Sequence, residues 1–192
     1  IEISKEEHEA FIGGTSRAMW AALKQQFNLS VSVDELLRED QDRYMEKLRS
    51  TDGLKPIDGA EQIIKYAINH GLPLGLASSS TRKNIDLVLS KLGYREYFDT
   101  TLSGEEVSQS KPSPEIFLKV AKSLNQNPEN VLVIEDSENG TIGAKKAGMM
   151  CIGHRNASSG KQNLSRADWI VDNLEEALSI IERKSTNKNI AR

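Results

Sequence analysis

From residue 60 onward, short apolar runs alternate with amphipathic stretches, and this alternation constrains the fold more than any other feature of the chain. The apolar runs are LPLGLA (72–77), TTLSG (100–104), VLVIE (131–135), MCIG (150–153) and DWIV (168–171). Helical patterns fill 60–70, 81–91, 114–124, 139–147 and 174–183, with Gly71, Gly93 and Gly148 at stop positions. Strands and helices alternating at these lengths pair in parallel through right-handed crossovers. The sequence therefore predicts an α/β chain with a doubly wound, Rossmann-like sheet. Ligands of such a sheet sit beyond the carboxyl ends of its strands.

Before residue 54 the texture is helical throughout. Ser4 with Glu7 makes a capping box, and Ser32 with Glu35 makes another ahead of DELLREDQDRYMEKL (34–48). Between them Thr15 or Ser16 can cap 17–27, after the flexible pair Gly13-Gly14. Pro56 and Gly59 in LKPIDG (54–59) break the helical pattern, which divides the chain into a helical unit, 1–55, and an α/β unit, 56–192. A length of 192 residues, 38% of them hydrophobic, allows one good core plus a smaller accessory unit. The polar tail KSTNKNIAR (184–192) has no face to bury and is expected to fray.

Charge narrows the partners. Lys plus Arg number 25 against 28 Asp plus Glu, a net charge of -3 without long blocks of one sign. No electrostatic footprint for nucleic acid or an anionic membrane follows from this, so the expected partner is a small molecule. The single cysteine, Cys151, lies in an apolar run and excludes an intramolecular disulfide framework, which makes a cytoplasmic location the default expectation. No apolar run approaches the length of a membrane span.

Three polar features fall where the predicted sheet would bind ligands. They are Ser78-Ser79-Ser80-Thr81 after the run 72–77, Lys111 before a helix, and Glu135-Asp136 after the run 131–135. Singly, each has an ordinary alternative. Ser80 can simply cap a helix starting at Thr81, Lys111 can be a solvated surface lysine, and two acids can complement a helix dipole. At one sheet edge they supply what phosphoryl transfer requires. The Ser78 hydroxyl and helix-start amides at Ser79 can hold phosphate oxygens, and Lys111 can neutralise charge on the phosphoryl group. Glu135 and Asp136 suit a hard cation such as magnesium, which takes one or two carboxylates and leaves positions for phosphate and water. Gly140 and Gly143 allow close packing of the helix that follows, or are ordinary turn and packing glycines.

LASSS (76–80), SKPSPEIF (110–117) and VIEDSENGTIGAKKAG (133–148) resemble the second, third and fourth motifs of the haloacid dehalogenase-like hydrolase superfamily. The likeness is greatest to its beta-phosphoglucomutase-like phosphatases with a helical cap, and it extends over essentially the whole chain. It implies that Ser78, with Ser79 beside it, binds the transferring phosphoryl group and that Lys111 bridges this group to the nucleophile. It also implies that Glu135 and Asp136 serve a Mg2+ ion and that 1–55 is the cap. The stretch GGTSR (13–17) resembles the cap loop of this group, which would aim Arg17 and Ser16 at the distal part of the substrate.

The superfamily's first motif, Asp-x-Asp-Gly-Thr/Val at the end of an apolar strand, supplies the nucleophile, and we do not find it. Asp40-Gln41-Asp42 has the spacing but is followed by Arg43-Tyr44 inside an amphipathic helix, and Asp52-Gly53 follows Arg49-Ser50-Thr51, a turn signal. The expectation is a magnesium-dependent phosphatase of a small phosphorylated metabolite, such as a sugar phosphate, working through an aspartyl-phosphate. Its nucleophile and first central strand would lie on an N-terminal segment absent from residues 1–192. That segment would be a partner of this chain, which is expected to be inactive alone. A phosphosugar mutase is the near alternative, though no lysine stands near Asp40 and Gln41 for a second sugar contact. An inactive truncated fragment is another. A metal-free dehalogenase does not need Glu135-Asp136, and a phospho-receiver domain would place its acid pair before the hydroxyl and lysine.

Overall fold

The computed structural model describes residues 1–4, 7, 11 and 15–189. The Ser4–Glu7 capping box is present: the Ser4 amide donates to Glu7 Oε2 at 2.8 Å, and the Glu7 amide to Ser4 Oγ at 3.1 Å. Gly13 and Gly14 lie outside the described residues. Thr15, not Ser16, caps helix α1 (Ser16–Gln26), its hydroxyl accepting from the Ala18 amide. Ser32 caps helix α2 (Val33–Ser50) by accepting from the Glu35 amide at 3.2 Å. The two helices pack together, burying Leu23, Met45 and Leu48, and Trp20 Nε1 donates to Asp40 Oδ2 across the seam at 3.1 Å.

The α/β part follows the predicted order: α3 (Ala60–Asn69), β1 (Gly75–Ser78), α4 (Arg82–Leu92), β2 (Thr100–Ser103), α5 (Glu115–Ser123), β3 (Leu132–Glu135), α6 (Glu138–Lys146), β4 (Met150–His154), β5 (Trp169–Val171) and α7 (Leu174–Asn189). Strand β1 starts three residues later than its apolar run. The Leu72 amide closes helix α3 on Ala67 O at 2.9 Å, and Pro73 has no amide to offer a ladder. At the other end, α7 continues to Asn189, six residues into the tail expected to fray. Arg183 Nε holds Ser179 O at 3.1 Å just before the tail, and the Lys184 ammonium sits 4.8 Å from the Trp169 ring centroid, a partner for the tail that its sequence does not advertise. Among the described residues no helix is long and apolar enough to cross a membrane.

All strand pairs are parallel, in two ladders: β1 with β2, and β3 with β4 and β5 in that order. The pleat sends alternate residues to opposite faces. Val131, Val133 and Cys151 face one core with Ile116, Phe117, Ala121, Ala144 and Met149, which α5 and α6 help to build. Leu132, Ile134 and Ile152 face a second core with Leu174, Ala177 and Ile180 of α7 and with Ala60 and Ile63 of α3. Helices on both faces make the sheet doubly wound. The first core also takes Ala77 and Leu102 from the two-stranded ladder, so α5 and α6 stitch the ladders together. Gly143 is where these helices meet: a Cβ there would stand 2.9 Å from the Phe117 ring.

Candidate active site

Strands β1, β2 and β3 end, at the carboxyl side, in Ser78, Ser103 and Glu135. Ser78 is the last residue of β1, in register with fully buried Ser103 of β2. The Ser78 hydroxyl accepts from the Ser80 amide at 3.1 Å, and Ser103 Oγ donates to Ser80 O at 2.7 Å. These bonds fix the loop that carries Ser78 and Ser79. Thr81, not Ser80, caps the next helix, accepting from the Asn84 amide at 3.4 Å.

Lys111 is not a surface lysine, being only 8% exposed. Its ammonium donates to Ala77 O at 3.2 Å, forms an ion pair with Glu135, and lies 5.0 Å from the centroid of the Phe117 ring. Lys111 therefore spans the ends of β1 and β3, adjoining Ser78 on one side and the carboxylate pair on the other. A charge so buried demands a partner, and Glu135 supplies it.

The two carboxylates have different surroundings. Glu135 uses Oε1 for Lys111, while Oε2 accepts from Ser137 Oγ at 3.0 Å. The same Ser137 oxygen accepts from the Gly140 amide at 3.0 Å, capping α6. A Cβ at Gly140 would overlap the Glu135 carboxylate, so a larger residue there would push Glu135 away from Lys111 and Ser137. Asp136 has neutral donors instead: Asn156 Nδ2 at 2.9 Å and Ser159 Oγ at 2.5 Å, both to Oδ2. An adjacent pair of oxygen donors suits a hard cation that completes its shell with phosphate and water. Asp136, with no ammonium or guanidinium of the described residues against it, is the better placed of the two to ligate it directly. Cys151, fully buried on the middle strand of its ladder, does not compete as a nucleophile. Burial, reinforced by the Glu135 and Asp168 charges, pushes its thiol up to about 12.

The helical unit meets this edge through a residue that sequence reasoning did not single out as functional. Gln41 Nε2 donates to Thr81 Oγ1 at 2.8 Å and to Asn84 Oδ1 at 3.0 Å. Arg17, expected at the substrate, bonds Asp34 Oδ1 at 2.6 Å in an exposed pair on the helical unit itself, and Ser16 is the exposed first residue of α1. The structure thus gathers Ser78, Ser79, Lys111, Glu135 and Asp136, and gives Arg17 a partner elsewhere. Asn156 and Ser159 were also missed; their only sequence signal is a short polar turn after an apolar run. An open cleft of about 720 Å³ beside Gln41, lined also by Met45, Arg49 and Lys83, contains none of the sheet-edge residues.

Residues 1–154 match the haloacid dehalogenase-like hydrolase family. A bifunctional riboflavin kinase/FMN phosphatase of Arabidopsis thaliana is 33% identical over 164 residues, 85% of this chain and 42% of that protein. Putative phosphatase YhcW of Bacillus subtilis (strain 168) is 35% identical over 130 residues, 68% of this chain and 58% of that one. The chain spans about half the length of these curated relatives. Among solved structures, beta-phosphoglucomutase from Clostridium difficile has a TM-score of 0.84 at 28% identity, over 100% of this chain and 86% of that one. CbbY from Rhodobacter sphaeroides in complex with phosphate has the same fold, with a TM-score of 0.81 at 22% identity over 89% of this chain and 79% of that one. The order of the three motifs, the doubly wound sheet and a family match over most of the chain agree: the chain belongs to the haloacid dehalogenase-like hydrolase family.

Proposed function

We propose that the protein is a magnesium-dependent phosphatase of a small phosphorylated metabolite, with sugar phosphates as the first class to try. The observation that carries this reading is buried Lys111, held between the end of β1 and the carboxylate pair. The Ser78 hydroxyl and the loop through Ser79 hold nonbridging oxygens of the phosphoryl group. Lys111 neutralises charge there as the ester bond breaks, and its placement in a buried site makes that charge more effective than it would be in water. Asp136, with Glu135 beside it, holds the magnesium ion, which supplies further charge neutralisation at the phosphoryl oxygens when bound.

The covalent route is an aspartate attacking phosphorus, departure of the alcohol, and release of inorganic phosphate by water. Asp40 is bonded to Trp20 in the middle of α2, so the attacking aspartate is proposed to come from outside residues 1–192. Residues 1–192 alone are then expected to release no phosphate. Names among the relatives, an FMN phosphatase and a putative phosphatase, support hydrolysis. The likeness to a beta-phosphoglucomutase supports transfer back to sugar as a second reading. The lack of a lysine in α2 around Asp40 and Gln41, where a second sugar contact would be expected, favours hydrolysis.

The test is inorganic phosphate release by the full-length protein from an aryl phosphate and a panel of phosphorylated metabolites. Activity that EDTA abolishes and Mg2+ restores is expected. Release indifferent to EDTA would contradict the magnesium assignment, and isomerised sugar phosphate without release would favour the mutase.

A further inference from the structure

The turn after β4 has no role in the chemistry described so far, yet two of its side chains converge on Asp136. Asn156 Nδ2 and Ser159 Oγ both donate to Oδ2, at 2.9 and 2.5 Å. The orientation of the Asn156 amide follows from the turn itself. Its Oδ1 accepts from the Ser158 amide at 3.0 Å, so the NH2 group faces Asp136. Ser159 is buried, and its backbone amide is held by Asn156 O at 3.0 Å. Gly160 then leaves the turn at φ 66° and ψ −157°, a conformation that essentially only glycine adopts. Two residues on, Gln162 Oε1 accepts from the Glu138 amide at 3.1 Å, so the same segment also secures the start of α6 just after Asp136.

A carboxylate rotates in a broad, shallow torsional well and has no intrinsic preference for where its oxygens point. Two donors on one oxygen remove that freedom and leave Oδ1 for a cation. We infer that Asn156 and Ser159 are positioning residues, which set the Asp136 carboxylate for metal binding without touching the substrate. The inference rests on the proposed function, in which Asp136 holds the cation.

Mn2+ affinity of the full-length protein, read by the electron paramagnetic resonance signal of free Mn2+, tests it without recourse to activity. Asn156→Ala and Ser159→Ala should each weaken binding about 10-fold or more, as loss of outer-shell support does in other metal sites. Ser159→Thr, which keeps the hydroxyl, should stay nearer the wild type. In turnover, the Mg2+ concentration for half-maximal rate should rise, while kcat at saturating Mg2+ changes little. Asn156 lies at the partly exposed start of the turn, so its variant serves if buried Ser159→Ala does not fold. Wild-type Mn2+ affinity in both alanine variants, alongside loss in Asp136→Asn, would overturn the inference and leave the site reading standing. Wild-type affinity in Asp136→Asn would overturn the site reading as well.

Discussion

The sheet edge and the helical unit both bring opposite charges together, under different conditions. Lys111 and Glu135 are 7% and 9% exposed in their side chains, whereas Arg17 and Asp34 are 64% and 70% exposed. In the first pair each charge depends on the other, because neither has water to fall back on. In the second, solvent screens both charges and either side chain can leave at little expense. Chemistry that needs fixed charges belongs at the first place. The second is free to rearrange, because neither partner is held by burial.

The sharpest way to break this contrast is Lys111→Met. It leaves the Glu135 carboxylate buried without its cation, and a loss of about 3–5 kcal/mol in unfolding free energy is expected from denaturant titration. A loss comparable to a surface substitution would mean that the pair is not buried in solution. Gly140→Ala tests the same carboxylate from the other side. Its Cβ would displace Glu135 from the Ser137–Lys111 arrangement, costing about 1–3 kcal/mol and most of the phosphatase activity.

Asp168 stands between the two extremes. Burial raises its pKa, but the Lys145 ammonium and the Cys151 amide outweigh that and hold the carboxyl below its ordinary value. A carboxyl lowered by folding contributes stability above its unfolded pKa and loses that contribution as pH falls through the folded value. Asp168→Asn should therefore destabilise by about 1–2 kcal/mol at pH 7. The difference from wild type should shrink as pH drops below about 4. A difference that persisted unchanged into strong acid would show that the Asp168 charge is not responsible. Smallest of all, Arg17→Ala should shift stability by less than about 0.5 kcal/mol. A larger shift in denaturant titration would show that this pair is held more tightly than an exposed one.

The order of strands and helices was legible because each apolar run and each capping residue acts locally. Ser32, Thr81 and Ser137 cap helices with side chains only a few residues from the amides they satisfy. Strand β1 was misjudged at its start because LPLGLA reads as uniformly apolar, while pairing depends on which amides are free for a ladder. At the site, Ser78, Lys111, Glu135 and Asp136 could be found because the topology brings strand ends together. Their separate surroundings could not. Whether a carboxylate meets Lys111 or Asn156 depends on contacts across 24 and 20 residues, which no local pattern encodes. Gly140 had two equal readings in the sequence and has one in the structure, since its missing side chain is the space that Glu135 occupies.

Asp136 is proposed to lie at the metal end of a phosphoryl-transfer site whose other end is Lys111 and Ser78. This placement is tested most directly by phosphate release from an aryl phosphate across a magnesium titration, with full-length wild-type protein and Asp136→Asn. The variant should remain folded by circular dichroism and lose at least about 100-fold in rate, as removal of a charge-stabilising group at a reacting centre does. Unchanged turnover with an unchanged magnesium requirement would contradict the metal role of Asp136.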